Sequence, residues 1–201
     1  MSDHLGLTVA RWLLIVLAAA LLQGLGSARA VAPPPKGFPK ASFVAGDPVT
    51  GERKAKAVLL HAQWFDDEGQ PQKYFKGTRR FPWPKPATIS DSAFRIRLDG
   101  VRYPGTLDVG VFRRTGPQAS PKGKHRLYSC TVEPSADSAC RWVPTLEGDR
   151  QVWNVEIDHP QRSGHLYIVA VGSWDDPRDP PKPLGNRGQI ATWLLHAKLG
   201  S

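Results

Sequence analysis

Apolar and polar residues alternate with a period of two along most of the chain beyond its first forty positions. Phe94, Ile96 and Leu98 share one side of an extended segment, while Arg95 and Arg97 share the other. Leu107, Val109 and Val111 repeat the pattern after the turn residues Tyr103, Pro104 and Gly105. Trp153, Val155 and Ile157 repeat it against Asn154 and Glu156. Successive side chains of a strand point to opposite faces, so this spacing predicts strands buried on one face. Residues 55–64 read as one long strand with Val58, Leu60, Ala62 and Trp64 on a single side. Residues 166–171 are continuously apolar, as in a central strand covered on both faces. Residues 190–199 set Ala191, Trp193, Leu195, Ala197 and Leu199 against Thr192, Leu194 and His196. Residues 164–174 and 188–199 are expected to pair as a hairpin, and shorter strands are expected at 42–45, 125–132 and 141–146.

All 19 prolines lie beyond residue 30. Proline removes a donor and clashes inside a helix, so helices of ordinary length do not fit between most of them. The expected fold is all-β, a single β-sandwich of about nine strands. Its general look resembles immunoglobulin-like or jelly-roll-like modules, a likeness of architecture that implies no activity.

The first thirty residues break the pattern. Trp12 to Leu22 is an unbroken apolar run preceded by Arg11 and followed by Gln23, Gly24 and Gly26. A spanning helix needs about 20 apolar residues, and this run is shorter. Ala28-Arg29-Ala30 supplies the small-x-small pattern of a cleavage site. Residues 1–30 therefore read as a signal peptide. Residues 31–40, with Pro33, Pro34, Pro35 and Pro39, read as an extended tail, and residues 41–201 as the sandwich domain. The protein is expected to be periplasmic or secreted.

Export changes the meaning of the two cysteines. Cys130 and Cys140 are the only pair in the chain, and in an oxidising compartment they read as a disulfide. The spacing suggests that it ties a hairpin made of residues 125–132 and 141–146. The formal net charge of +9 becomes +8 once Arg11, Arg29 and Asp3 leave with the leader. A basic exported chain points to anionic partners: an envelope polymer such as an acidic glycan, a membrane surface with its lipid headgroups, or another envelope protein. Nucleic acid fits the compartment poorly.

Two stretches concentrate the charge. Lys76, Arg79, Arg80 and Lys85 interleave with Tyr74, Phe75, Phe81 and Trp83, and no acid falls between Lys73 and Ser90. Arg113, Arg114, Lys122, Lys124, His125 and Arg126 form a second acid-free stretch. Cations beside flat rings grip phosphates and carboxylates while the rings stack on a sugar face. Trp83 and Trp174 are the tryptophans expected to be exposed, and with the acidic loops they support a carbohydrate-directed alternative. Asp66, Asp67 and Glu68 follow one strand; Asp175, Asp176 and Asp179 follow another. Clustered carboxylates suit Ca²⁺, yet no Asp-x-Asp-x-Asp-Gly loop is present, and no cofactor is expected. The six histidines lack the spacing of a zinc site. There is no Gly-x-Ser-x-Gly elbow and no phosphate loop before a helix. The sequence therefore reads as a non-enzymatic binding or structural module, with pairing of an exposed strand edge to a partner as a third possibility.

Overall fold

The computed structural model describes residues 40–45, 53–65, 71–76, 79–89, 93–99, 105–130, 139–148, 150–160, 163–174 and 189–200. Residues 1–39, read above as a leader and most of a tail, lie outside the described residues. The strands, in chain order, are β1 (Lys40–Ala45), β2 (Arg53–Lys56), β3 (Val58–Phe65), β4 (Pro71–Phe75), β5 (Ala87–Ile89) and β6 (Ala93–Asp99). They continue with β7 (Thr106–Thr115), β8 (Pro121–Cys130), β9 (Cys140–Glu147), β10 (Arg150–Asp158), β11 (Gly164–Trp174) and β12 (Gln189–Leu199). A short 3-10 turn, Pro117–Ala119, joins β7 to β8.

Two sheets pack together. The smaller has the order β2-β1-β6-β10-β9; the larger has the order β4-β3-β12-β11-β7-β8, with β5 added in parallel to β12. Among the described residues there are twelve strands where the sequence suggested about nine. β1–β2, β3–β4, β7–β8, β9–β10 and β11–β12 are antiparallel pairs of chain neighbours. The chain changes sheet between most of these hairpins, so each sheet is assembled from separated parts of the sequence.

The period-two pattern decides which face is buried. Phe94, Ile96 and Leu98 of β6 meet Leu166, Ile168 and Ala170 of β11 in one core between the sheets. Phe43 stacks on Phe94 at a centroid distance of 5.2 Å. Trp64, Trp174 and Trp193 continue this core edge to face, at 5.1 Å and 6.0 Å between successive rings. Gly172 lies beneath this train, and a Cβ there would sit 2.7 Å from the Trp174 ring. The missing side chain is what lets two indoles share the space.

Three expectations need correction. Residues 55–64 are not one strand: β2 and β3 belong to different sheets, separated by Ala57. The register of β3 on β12 shifts between Thr192 and Trp193, so Leu60 packs in a second cluster while Ala62 faces the main core. A bulge reverses the side-chain phase for the residues beyond it, and the uniform alternation of the sequence hid that reversal.

The second correction concerns the cystine. Cys130 and Cys140 are bonded, with 5.4 Å between their Cα atoms, but they do not tie a hairpin. Cys130 ends β8, an edge of the larger sheet, and Cys140 begins β9, an edge of the smaller. The bridge fastens the two sheets at one open side of the sandwich. A disulfide is the form expected outside a reducing cytosol, and no helix among the described residues is long and apolar enough to cross a membrane.

The third concerns β6, expected to be buried on one face only: Arg97, on its other face, is also buried. It is 7% exposed. Its guanidinium donates two N–H bonds to the Glu147 carboxylate and a third to Asp99 at 2.9 Å. The hydrogen bonds to Glu147 raise its pKa above the usual value, burial opposes them, and Asp99 adds to the rise. A charge taken out of water persists only when it is paired in this way.

Candidate functional site

The basic stretch after β4 forms a strap over the outer face of the larger sheet. That face carries an apolar patch of Leu60, Phe112, Val169 and Leu194, with Val58, Tyr167 and Val171 around it. Phe81 and Trp83 pack onto it. Their rings lie 6.0 Å apart, and Trp83 meets Tyr167 edge to face at 5.2 Å. Leaving such a patch in water is unfavourable, and the strap gives it a second, smaller core.

Polar contacts fix the strap in place. The Phe81 amide donates to the Gln118 carbonyl at 2.9 Å, and the Trp83 indole N–H donates to the Ala119 carbonyl at 2.6 Å. Gln118 and Ala119 both hold positive φ, 55° and 58°. Non-glycine residues adopt that region at a cost, so the turn is held by what surrounds it. The two successive carbonyls of this turn are the ones that accept from the strap. On the other side, His196 Nδ1 lies 3.1 Å from the Pro84 carbonyl. The chain then rejoins the sheet as β5.

The structure therefore brings together the two basic stretches that the sequence showed apart. Arg79, Arg80 and Lys85 on the strap are exposed, as are Arg113, Arg114, Lys122, Lys124 and Arg126 on the β7–β8 hairpin to which it is fastened. Lys76 is half-buried, and its amide donates to the Leu60 carbonyl at 2.8 Å. Trp83 is half-buried and its N–H is committed to Ala119, so it serves chiefly as the strap's anchor rather than as a free stacking platform.

Trp174 is not an exposed ring. It is 2% exposed, because it shares the inward parity of Leu166, Ile168 and Ala170 on β11, and its indole packs between those of Trp64 and Trp193. Asp66, Asp67, Asp175 and Asp176, the carboxylates suited by type to Ca²⁺, lie outside the described residues. The strands that lead into them do end together: Gln63 of β3 and Ser173 of β11 both oppose Ile190 of β12. Among the described residues, no group of three or more His, Cys, Asp or Glu gathers to hold a metal ion.

Sequence reasoning missed the imidazoles of this face. His165 and His196 approach within 2.9 Å through Nδ1 and Nε2, and Tyr167 stacks on His196 at 4.5 Å. Their signal was present in the sequence: both have the parity of the outer face on neighbouring strands. Only the register of β11 on β12 shows that they meet.

Two histidines of this face have lowered pKa values. Burial lowers that of His61, helped by the charge of Lys73. Burial also lowers that of His196, opposed by its bond to Pro84 and helped by His165. Both favour the neutral form when folded, so the unfolded chain binds more protons below its ordinary value of about 6.5. Their contribution to stability is complete above that value and is lost as pH falls through it towards the folded pKa. The urea midpoint is expected to be lower at about pH 5 than at about pH 7.5, and His61→Gln with His196→Gln should flatten the difference. An unchanged slope in that double variant would refute the assignment.

Comparison with protein-family models, curated proteins and solved structures finds no match for this chain. The functional reading therefore rests on the surface itself.

Proposed function

We propose that the protein is an exported, non-enzymatic binding module of the cell envelope or extracellular space, and that its joined basic surface takes an anionic polymer. The observation that carries this reading is the pair of hydrogen bonds from Phe81 and Trp83 to Gln118 and Ala119. They fasten the strap that carries one basic segment to the turn of the hairpin that carries the other. Pre-ordered cations lose less freedom on binding than cations on a loose loop, which favours association. The leader pattern and the cystine support export. The alternation of Lys and Arg with rings favours phosphate or carboxylate groups strung along a chain, such as an acidic glycan.

The carbohydrate-stacking alternative loses one of its two rings with the burial of Trp174 and keeps Trp83 only in part. Edge addition is disfavoured at two of the sheet edges. β2 is short and carries Lys54 and Lys56, and β8 carries Lys122, Lys124 and Arg126, the charged type of edge that resists pairing.

Titrating the mature chain with a polyanion tests the proposal. Affinity should fall at least about tenfold between roughly 50 and 200 mM salt, because screening weakens exposed charge pairs. Arg79→Glu with Arg114→Glu should reduce it further, while a neutral glycan should not bind. Binding that ignores salt and survives the charge reversal would overturn the reading.

A further inference from the structure

We propose that His165 and His196 form a two-imidazole site for a transition-metal ion, with Cu²⁺ favoured over Zn²⁺. The register of β11 on β12 opposes Tyr167 to His196 and His165 to Lys198. His165 is thus the diagonal neighbour of His196 on the outer face, and their ring centroids are 5.1 Å apart. Such cross-strand placement holds both rings on rigid elements rather than on loops.

The strap sets the tautomer. A carbonyl only accepts, so the Pro84 oxygen requires that His196 Nδ1 carry the proton and Nε2 the lone pair. Metal-ligating histidines are commonly oriented in this way, with the second ring nitrogen donating to a backbone carbonyl. Tyr167, stacked nearly parallel to His196 with an interplanar angle of 18°, limits its rotation. His196 therefore presents a fixed, deprotonated Nε2 towards Nδ1 of an exposed imidazole.

The spacing fits a cis pair of ligands. Two nitrogens bound at about 2.0–2.1 Å and at a right angle lie about 2.9 Å apart, and His165 Nδ1 and His196 Nε2 are separated by 2.9 Å. Without metal, His165 Nδ1 carries the proton and donates it to His196 Nε2. With metal, His165 carries its proton on Nε2 instead, and both facing nitrogens donate lone pairs. A right-angled pair is the geometry of a tetragonal ion, and copper(II) binds imidazole most tightly of the first-row divalent ions. Water fills the remaining positions. Lys198 across from His165 and Lys85 beside Pro84 oppose any cation, and lower the affinity for both ions alike. Binding weakens as pH falls, since a protonated imidazole has no lone pair to give.

The test is a titration of the folded chain with Cu²⁺ and, separately, Zn²⁺, read by calorimetry and electron paramagnetic resonance. The wild-type chain should bind Cu²⁺ at this site at least about tenfold more tightly than Zn²⁺, with hyperfine structure from two equatorial nitrogens. His165 is exposed, so His165→Ala should keep the fold while lowering Cu²⁺ affinity at least about tenfold and removing one nitrogen from the spectrum. His125→Ala, on the same face, should change neither. Because His196→Ala also cuts the strap's bond to Pro84, His165→Ala is the decisive variant. Unchanged affinity and spectrum in His165→Ala, or a wild-type spectrum without a nitrogen pair, would overturn the proposal.

Discussion

Trp193→Ala should lower stability by about 3–5 kcal/mol, the upper range for truncating a buried side chain. Trp193 is 1% exposed and lies on β12, which pairs with β11, β3 and β5. Its ring closes the train through Trp174 to Trp64, so truncation leaves a cavity beside an indole rather than a gap that small side chains can fill. Gly172 makes collapse harder, because nothing at that position can move in to replace the lost ring. Total stability of a domain is about 5–15 kcal/mol, which makes the loss a large fraction of the whole. With a urea dependence of about 2 kcal/mol per molar, the midpoint should drop by on the order of 2 M. Leu146→Ala is the contrast: that side chain is 74% exposed, and its loss should stay within about 0.5 kcal/mol. Similar midpoints for the two variants would show that the tryptophan train is not the centre of the fold.

What the sequence revealed follows from the physics of single strands. Alternation in β6, β7, β10 and β12, and the continuous apolar run of β11, were legible because each strand's pattern is set by its own pleat and burial. The parity of β12 correctly separated Trp193 from His196. Sheet membership was not legible, because it depends on which strands meet across the sandwich. For that reason residues 55–64 read as one strand although the chain changes sheet at Ala57, and the bulge opposite Thr192 went unseen. Trp174 looked exposed from the acids that follow it, whereas its parity with Leu166 and Ile168 placed it inward. The basic stretches were visible as composition. Their junction was not, since it depends on carbonyls of Gln118 and Ala119 held by an unusual turn. The contact of His165 with His196 likewise needed the register of two strands.

Removing the cystine should cost about 3 kcal/mol, the loop-entropy value for a bridge of this short span, and the damage should be unevenly distributed. Had Cys130 and Cys140 tied a hairpin, a backbone ladder would hold the two strands together without the bridge. Instead β8 bonds to β7 and β9 to β10, in different sheets. The bond therefore joins edges that share no ladder with each other. Cys130→Ala with Cys140→Ala should let the two edges separate first, because local opening begins where few interactions resist it. Amide exchange should rise most in β8 and β9 and least in β11 and β12, which pair along their whole length from Gly164–Leu199 to Trp174–Gln189. Both half-cystines are buried, at 0% and 2% exposure, so the alanines should leave a small void but no unpaired polar group. Uniform exchange across the sheets, or a loss below about 1 kcal/mol, would mean that inner-face packing alone closes this side of the sandwich.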